Sequence, residues 1–194
     1  ISLLALLLNK DLLIVNLNFS FYENPIFLGN FSYFFTIFCI IILINALNFY
    51  DGVNGQSIIL FIIIFIYLSL KSPIFIFYIF TTLILFFILS LNLTNKVFMG
   101  DNGIYFLGAI LSALLIYEYN KFDTFEFADE IFILLILPGY DLLRLSFARL
   151  FKGKNPFYGD RNHIHHLMTK KFSLVNTNLI LAFLNILPIF LFSF

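Results

Sequence analysis

The chain's three histidines, His163, His165 and His166, fall within four positions, directly after Asp160 and Arg161. Two lysines, Lys152 and Lys154, lie just upstream. Cationic and imidazole donors packed this closely suit a diphosphate, because they neutralise its charge and hold its oxygens. A metal site or a basic patch on a membrane surface would use the same residue types. A second polar segment runs Asn45-Ala46-Leu47-Asn48-Phe49-Tyr50-Asp51-Gly52-Val53-Asn54-Gly55. Asn45 and Asn48, three apart, share a helix face; Asp51 joins them if the helix continues, and the glycines then permit a sharp turn. Taken alone, the segment also fits a helix C-cap followed by a turn. A third segment reads Phe98-Met99-Gly100-Asp101-Asn102-Gly103. Asp101 stands where a helix begins, either as its N-cap or as a hard oxygen ligand for Mg²⁺, which takes one or two carboxylates plus substrate phosphates. Upstream of the histidines, Pro138 and Asp141 interrupt an apolar run; Asp141 and Arg144, one turn apart, can pair in a structural role as readily as a catalytic one.

The elements that must position these residues are set by composition. Of 194 residues, 61% are hydrophobic and 11% charged, and the mean hydropathy is +1.00. A soluble domain carries about 25% charged residues, so this chain lacks the polar surface to coat a globule and must sit in a lipid bilayer. Eleven basic residues balance eleven acidic ones, which argues against a nucleic-acid partner. The single Cys39, inside an apolar run, excludes an internal disulfide framework or a Cys-based zinc site and is expected to pack inertly.

Six stretches are predicted to cross as helices: 31–47, 57–70, 74–91, 103–119, 131–150 and 174–194. The apolar run at 1–8 is too short to cross and lacks the marks of a signal peptide; it is predicted to be the tail of a helix, making the chain the C-terminal part of a larger domain. Period-two alternation over 13–22, followed by Glu23-Asn24-Pro25, predicts a short surface β-hairpin. The expected fold is therefore an all-α multi-pass integral membrane protein, one transmembrane domain over 1–194, with about six helices, an N-terminal helix stub and a short outer hairpin. No internal repeat of the transporter type is visible.

Loops about 45–57, 92–102 and 151–172 fall on one side of this arrangement. Together with the end of the span from 141, that side holds Lys96, Arg144, Arg149, Lys152, Lys154, Arg161, Lys170 and Lys171, eight of the eleven basic residues. The positive-inside rule makes these loops cytoplasmic. They are also the loops with the unusual polar residues, although the topology used no motif. One reading uses all three: a cytoplasmic, Mg²⁺-assisted site for an anionic diphosphate substrate beside the membrane.

Four motifs in order carry a resemblance: Asn45-Ala46-Leu47-Asn48…Asp51-Gly52…Gly55, then Phe98-Met99-Gly100-Asp101…Gly103, then Pro138…Asp141, then Asp160-Arg161…His163-Ile164-His165-His166. The chain resembles, over its whole length, the polyprenyl-phosphate N-acetylhexosamine-1-phosphate transferases, glycosyltransferase family 4. The resemblance implies that a lipid phosphate, undecaprenyl phosphate, attacks the β-phosphorus of a UDP-N-acetylhexosamine, releasing UMP and initiating a cell-envelope glycan. It implies Mg²⁺, or Mn²⁺ in its place, with Asp101 and Asn48 as metal ligands. Asp51, Asp101, His163, His165 and His166 would be catalytic; Asn45, Asn48, Asn54, Asp160 and Arg161 would bind substrate. The Asp160–His166 segment resembles the branch that transfers GlcNAc-1-phosphate. The implied location is the bacterial cytoplasmic membrane, with room for a homodimer.

Asn54 stands where many members have Asp, and the family's paired aspartates have no counterpart in these 194 residues. The chain on its own is therefore expected to be inactive and its full-length parent an enzyme. Two rivals remain open at this stage: a non-catalytic family relative, and a membrane transporter with a histidine metal site.

Overall fold

The computed structural model describes residues 9–153 and 163–192. The stub at 1–8, and Lys154, Asp160 and Arg161, lie outside the described residues. A two-stranded antiparallel hairpin comes first, β1 (Asn16–Phe19) and β2 (Tyr22–Phe27). Asn16 pairs with Phe27, Leu17 with Ile26 and Phe19 with Tyr22. The turn is thus at Ser20-Phe21, and Glu23-Asn24-Pro25 lies within β2. Pro25 is tolerated there because each strand of a two-stranded ladder has an open edge that requires no donor. At the irregularity between Leu17 and Phe19, the Asn18 amide donates instead to the Tyr119 hydroxyl at 2.8 Å, which ties the hairpin to a helix end.

The helices follow: α1 (Ser32–Tyr50), α2 (Gln56–Lys71), α3 (Phe75–Leu93), α4 (Gly100–Lys121), α5 (Ala128–Leu134), α6 (Ile136–Leu150), α7 (Ile164–Thr169) and α8 (Leu174–Phe192). The protein is all-α and multi-pass, as expected. Among the described residues, four helices are long and apolar enough to cross a membrane: 29–50, α3, α4 and α8. The 16-residue α2 is apolar but shorter; it is the most enclosed helix, with Ile58, Leu60, Phe61, Ile64 and Leu68 buried against Tyr78, Leu85, Ile104 and Leu111. The outer faces of α3 and α8 instead present bare apolar side chains such as Phe80, Leu83, Phe87 and Phe183, suited to lipid rather than water.

The expected span 131–150 is not one straight helix. It is the pair α5 and α6, bent by 80° at Leu135. Pro138 explains the break: it has no amide hydrogen to offer the Leu134 carbonyl four residues back, and its ring crowds that position. The ladder resumes with Gly139, whose amide donates to Leu135 at 3.0 Å. The bend sets the course of α6, which carries Asp141, Arg144 and Arg149.

α4 links the two ends of the molecule. Its 22 residues span about 33 Å at 1.5 Å each. Its first turn holds Asp101, and its last turns reach the hairpin end through Tyr119 and Asn120, whose side-chain amide donates to the carbonyls of Asp11 and Leu13.

Candidate active site

α1 ends as the Asp51 amide bonds back to the carbonyls of Leu47 (3.0 Å) and Asn48 (3.3 Å). Asp51 is thus the C-cap, and the chain turns through Gly52 and Gly55 into α2. Gly55 has φ +88°, a left-handed conformation that a side chain would strain. The Ser57 hydroxyl donates to Asp51 Oδ1 and holds that carboxylate at the mouth of the turn.

The asparagines of this segment divide. The Asn48 side-chain amide donates to the Tyr105 hydroxyl at 3.1 Å, bridging to α4. Tyr105 stands one turn above Asp101 on the same face of α4. Asn45, expected on the Asn48 face, instead donates to its own helix, to Ile41 O at 2.8 Å. Asn54 donates to Asn95 Oδ1 at 2.6 Å and accepts at its carbonyl from Asn178 at 2.8 Å, pinning the turn to the end of α3 and to α8.

Asp101 lies in the first turn of α4, not at its N-cap, which is Met99. The helix begins at Gly100, three residues before the expected start, and leaves the Asp101 side chain exposed. Burial pushes the Asp51 carboxyl above the usual carboxylate range; Ser57 opposes this, and the nearby Asp101 charge adds to it. Neither carboxylate forms an ion pair among the described residues.

This donor set fits Mg²⁺. The Asp51 and Asp101 carboxylates, which act on each other through charge and have no ion-pair partner among the described residues, offer with the Asn48 side-chain oxygen the hard oxygen donors that Mg²⁺ shares with substrate phosphates and water. No three His, Cys, Asp or Glu side chains among the described residues are grouped closely enough to hold a metal by themselves, so the histidines do not form a zinc-type cage there.

The histidines are arranged as a stack. His163 precedes α7 as its N-cap, and its Nδ1 lies 2.9 Å from Asp141 Oδ2. Asp141 is 1% exposed; its Oδ1 accepts from Arg144 at 2.8 Å and from the Ile164 amide at 3.3 Å. The His163 and His165 rings are nearly parallel, 7° and 5.4 Å apart, and His166 meets His165 edge-on at 4.3 Å. Phe49 lies 5.6 Å from His163, tilted by 40°, with the buried Arg149 guanidinium 5.7 Å from the Phe49 ring. His163 and His165 are buried, and His166 is half-buried.

His165 also meets the first loop. A Cβ built on Gly52 would lie 1.6 Å from His165 Nε2, so the imidazole occupies the space a side chain would need. Burial, followed by its two histidine neighbours, lowers the His165 pKa to about 4, so this ring is neutral at physiological pH.

All three loops therefore converge: Asn48 and Asp51 on α4 and Asp101, and Gly52 on His165. Sequence reasoning did not find the Asp141–His163 contact, which joins residues 22 apart; the signal available was a carboxylate in an apolar run shortly before the histidines. It also missed Ser57 and Tyr105, whose types are too common in helices to stand out.

The profile described as glycosyl transferase family 4 matches residues 1–118. The chain is 31% identical over 172 residues to an undecaprenyl-phosphate alpha-N-acetylglucosaminyl 1-phosphate transferase of Escherichia coli O157:H7, covering 82% of this chain and 47% of that protein. A protein of the same name from Yersinia pestis is 32% identical over 155 residues, 74% of this chain and 42% of its own length. One from Pasteurella multocida is 40% identical over 76 residues, 39% of this chain and 21% of its own length. The chain thus spans less than half the length of these relatives. With a match over more than half of its residues, and with its polar loops gathered at one end of a multi-pass helical fold, the chain belongs to glycosyl transferase family 4.

Proposed function

We propose that the full-length protein containing this chain transfers an N-acetylhexosamine-1-phosphate, GlcNAc-1-phosphate first among candidates, from a UDP-sugar to undecaprenyl phosphate at the cytoplasmic face of a bacterial inner membrane. The meeting of the three loops carries this reading: the Asp101 charge acts on Asp51, Asn48 bonds Tyr105 beside Asp101 on α4, and Gly52 packs on His165 of the histidine stack. A phosphate oxygen of the lipid forms a bond to the β-phosphorus of the donor. The bond from that phosphorus to the bridging oxygen breaks, and UMP leaves with the oxygen and its electron pair. The names of the relatives, the apolar helices and the concentration of basic residues on the loop side support the lipid acceptor and the orientation.

Such a transfer depends on positioning and charge neutralisation. Mg²⁺ held by Asp101 and Asn48 would supply Lewis-acid shielding of the diphosphate. Asp51, fixed by Ser57, completes the acidic side. By the family resemblance, His163, His166 and Arg161 would hold diphosphate or sugar oxygens, and Asp160 would orient their segment. Asn54 helps keep the turn in place through its side-chain amide, which donates to Asn95 where a carboxylate could not.

The reading is tested by assaying the full-length protein in membranes with undecaprenyl phosphate, Mg²⁺ and a panel of UDP-amino sugars. UMP release that depends on lipid and metal supports it; no release with any sugar contradicts it and favours a non-catalytic relative.

A further inference from the structure

Asp141 is buried in α6, yet both its carboxylate oxygens are directed at the segment that carries the histidines. Oδ2 faces His163 Nδ1 at 2.9 Å, while Oδ1 binds the Ile164 amide and Arg144. Resting on the transferase reading above, we propose that Asp141 is the positioning residue of the histidine segment, locking His163 so that Nδ1 faces the carboxylate and Nε2 is the nitrogen that serves the diphosphate.

The argument is one of donors and acceptors. An ionised carboxylate only accepts, so the imidazole nitrogen facing it must carry the hydrogen. A neutral His163 is then fixed as the Nδ1–H tautomer, and a protonated one is fixed in the same orientation. The His163 ring is also packed against His165, nearly parallel at 5.4 Å, and against Phe49, tilted at 5.6 Å. Since His165 packs in turn against Gly52 and His166, a tilt of His163 would be felt across the stack as far as the half-buried His166. The cation Arg144, one turn away on the same helix, donates to Asp141 Oδ1 at 2.8 Å and supports the carboxylate. Asp141 touches no substrate in this scheme; it acts through His163.

The test uses the full-length protein, with ¹⁵N-histidine NMR and steady-state kinetics on wild type, Asp141→Asn and Arg144→Gln. His163 in the wild type is expected as a single Nδ1–H form, and Asp141→Asn is expected to lose that single form. Asp141→Asn should lower kcat about 10²-fold, with KM for the UDP-sugar changed by less than about threefold, the signature of a His163 contact that strengthens in the transition state. Arg144→Gln should keep the tautomer and more of the activity. A wild-type His163 in the Nε2–H form overturns the proposal, as does an Asp141→Asn enzyme that is folded and within about threefold of wild-type kcat. Equal losses in both variants with the tautomer unchanged would also overturn it. Where Asp141→Asn does not fold, the wild-type tautomer decides. A wild type that turns over no sugar defeats the transferase reading, and the NMR result then stands on its own for the positioning of His163.

Discussion

Gly52 carries the tightest demand on residue type in the site. With His165 Nε2 1.6 Å from its would-be Cβ, Gly52→Ala must expel the imidazole or open the first loop. The expected outcome is a loss of activity of about 10²-fold, read as UMP release. In a His165→Ala background the same substitution should cost much less, because the clash is gone; equal costs in both backgrounds would show that the two residues are not coupled. His165 also makes a pH statement. Its pKa is lowered to about 4 in the fold, against about 6.5 in an unfolded chain. The unfolded chain therefore binds the proton more readily, and the stabilisation from keeping this ring neutral is complete above about pH 6.5. It is lost progressively as pH falls towards 4, so the melting temperature should decline across that window. His165→Phe should flatten the decline. At this scale the candidate positions, and their meeting at one end of the fold, were legible because Asp, Asn, Gly and His stand out in an apolar chain. Their partners were not: a sequence shows that Asn45 and Asn48 are three apart, but not that Asn45 turns back to Ile41 while Asn48 crosses to Tyr105.

Among the elements, α4 has to hold Asp101 in register from its far end. Glu118, fully buried near that end, accepts hydrogen bonds from Ser72 (2.9 Å), Tyr78 (2.6 Å) and Thr124. These donors come from the α2–α3 turn, from α3 and from the loop after α4, so a single carboxylate fixes the depth of α4 against two neighbours. Glu118→Ala leaves three buried hydroxyls without their acceptor, at a cost of about 1–3 kcal/mol for each that finds no substitute. A clear fall in melting temperature is expected, with Glu118→Gln intermediate because its amide oxygen still accepts. An unchanged melting temperature in Glu118→Ala would exclude the latch. Nearby, Glu130 caps α5 by accepting from the amides of Glu126 and Phe127, and pairs with Lys71 at 3.3 Å. Helices were legible from apolar run length alone. The bend between α5 and α6 was not, although its cause, Pro138, was in plain view: a proline in a helical run signals a break or a mild kink, and only packing decides which. The hairpin was legible from alternation, but not the place of its turn, since Asn24-Pro25 is a stronger local turn signal than Ser20-Phe21. The Ser20 amide and hydroxyl both reach Asp129 (2.9 and 2.7 Å), a tertiary contact that favours the observed turn.

For the whole molecule, charge asymmetry and site placement were legible together. The end carrying Asp51, Asp101 and the histidines is the end richest in Lys and Arg, and the proposal makes it cytoplasmic. With Cys39 replaced by Ala, a cysteine placed at Lys96 should react with a membrane-impermeant thiol reagent only after the cytoplasmic side is opened. One placed at Phe21, on the exposed hairpin turn, should react from outside. The reverse pattern would invert the topology and remove the site from its nucleotide substrate. The central claim, that the converging loops form a metal-assisted sugar-1-phosphate transfer site, is tested most directly by one comparison. UMP release is measured from the full-length protein with undecaprenyl phosphate, UDP-GlcNAc and Mg²⁺, beside its Asp101→Asn variant at equal membrane abundance. The expected result is release that requires lipid and metal and falls to background in the variant; release that is unaffected by Asp101→Asn or by removal of Mg²⁺ would contradict the account.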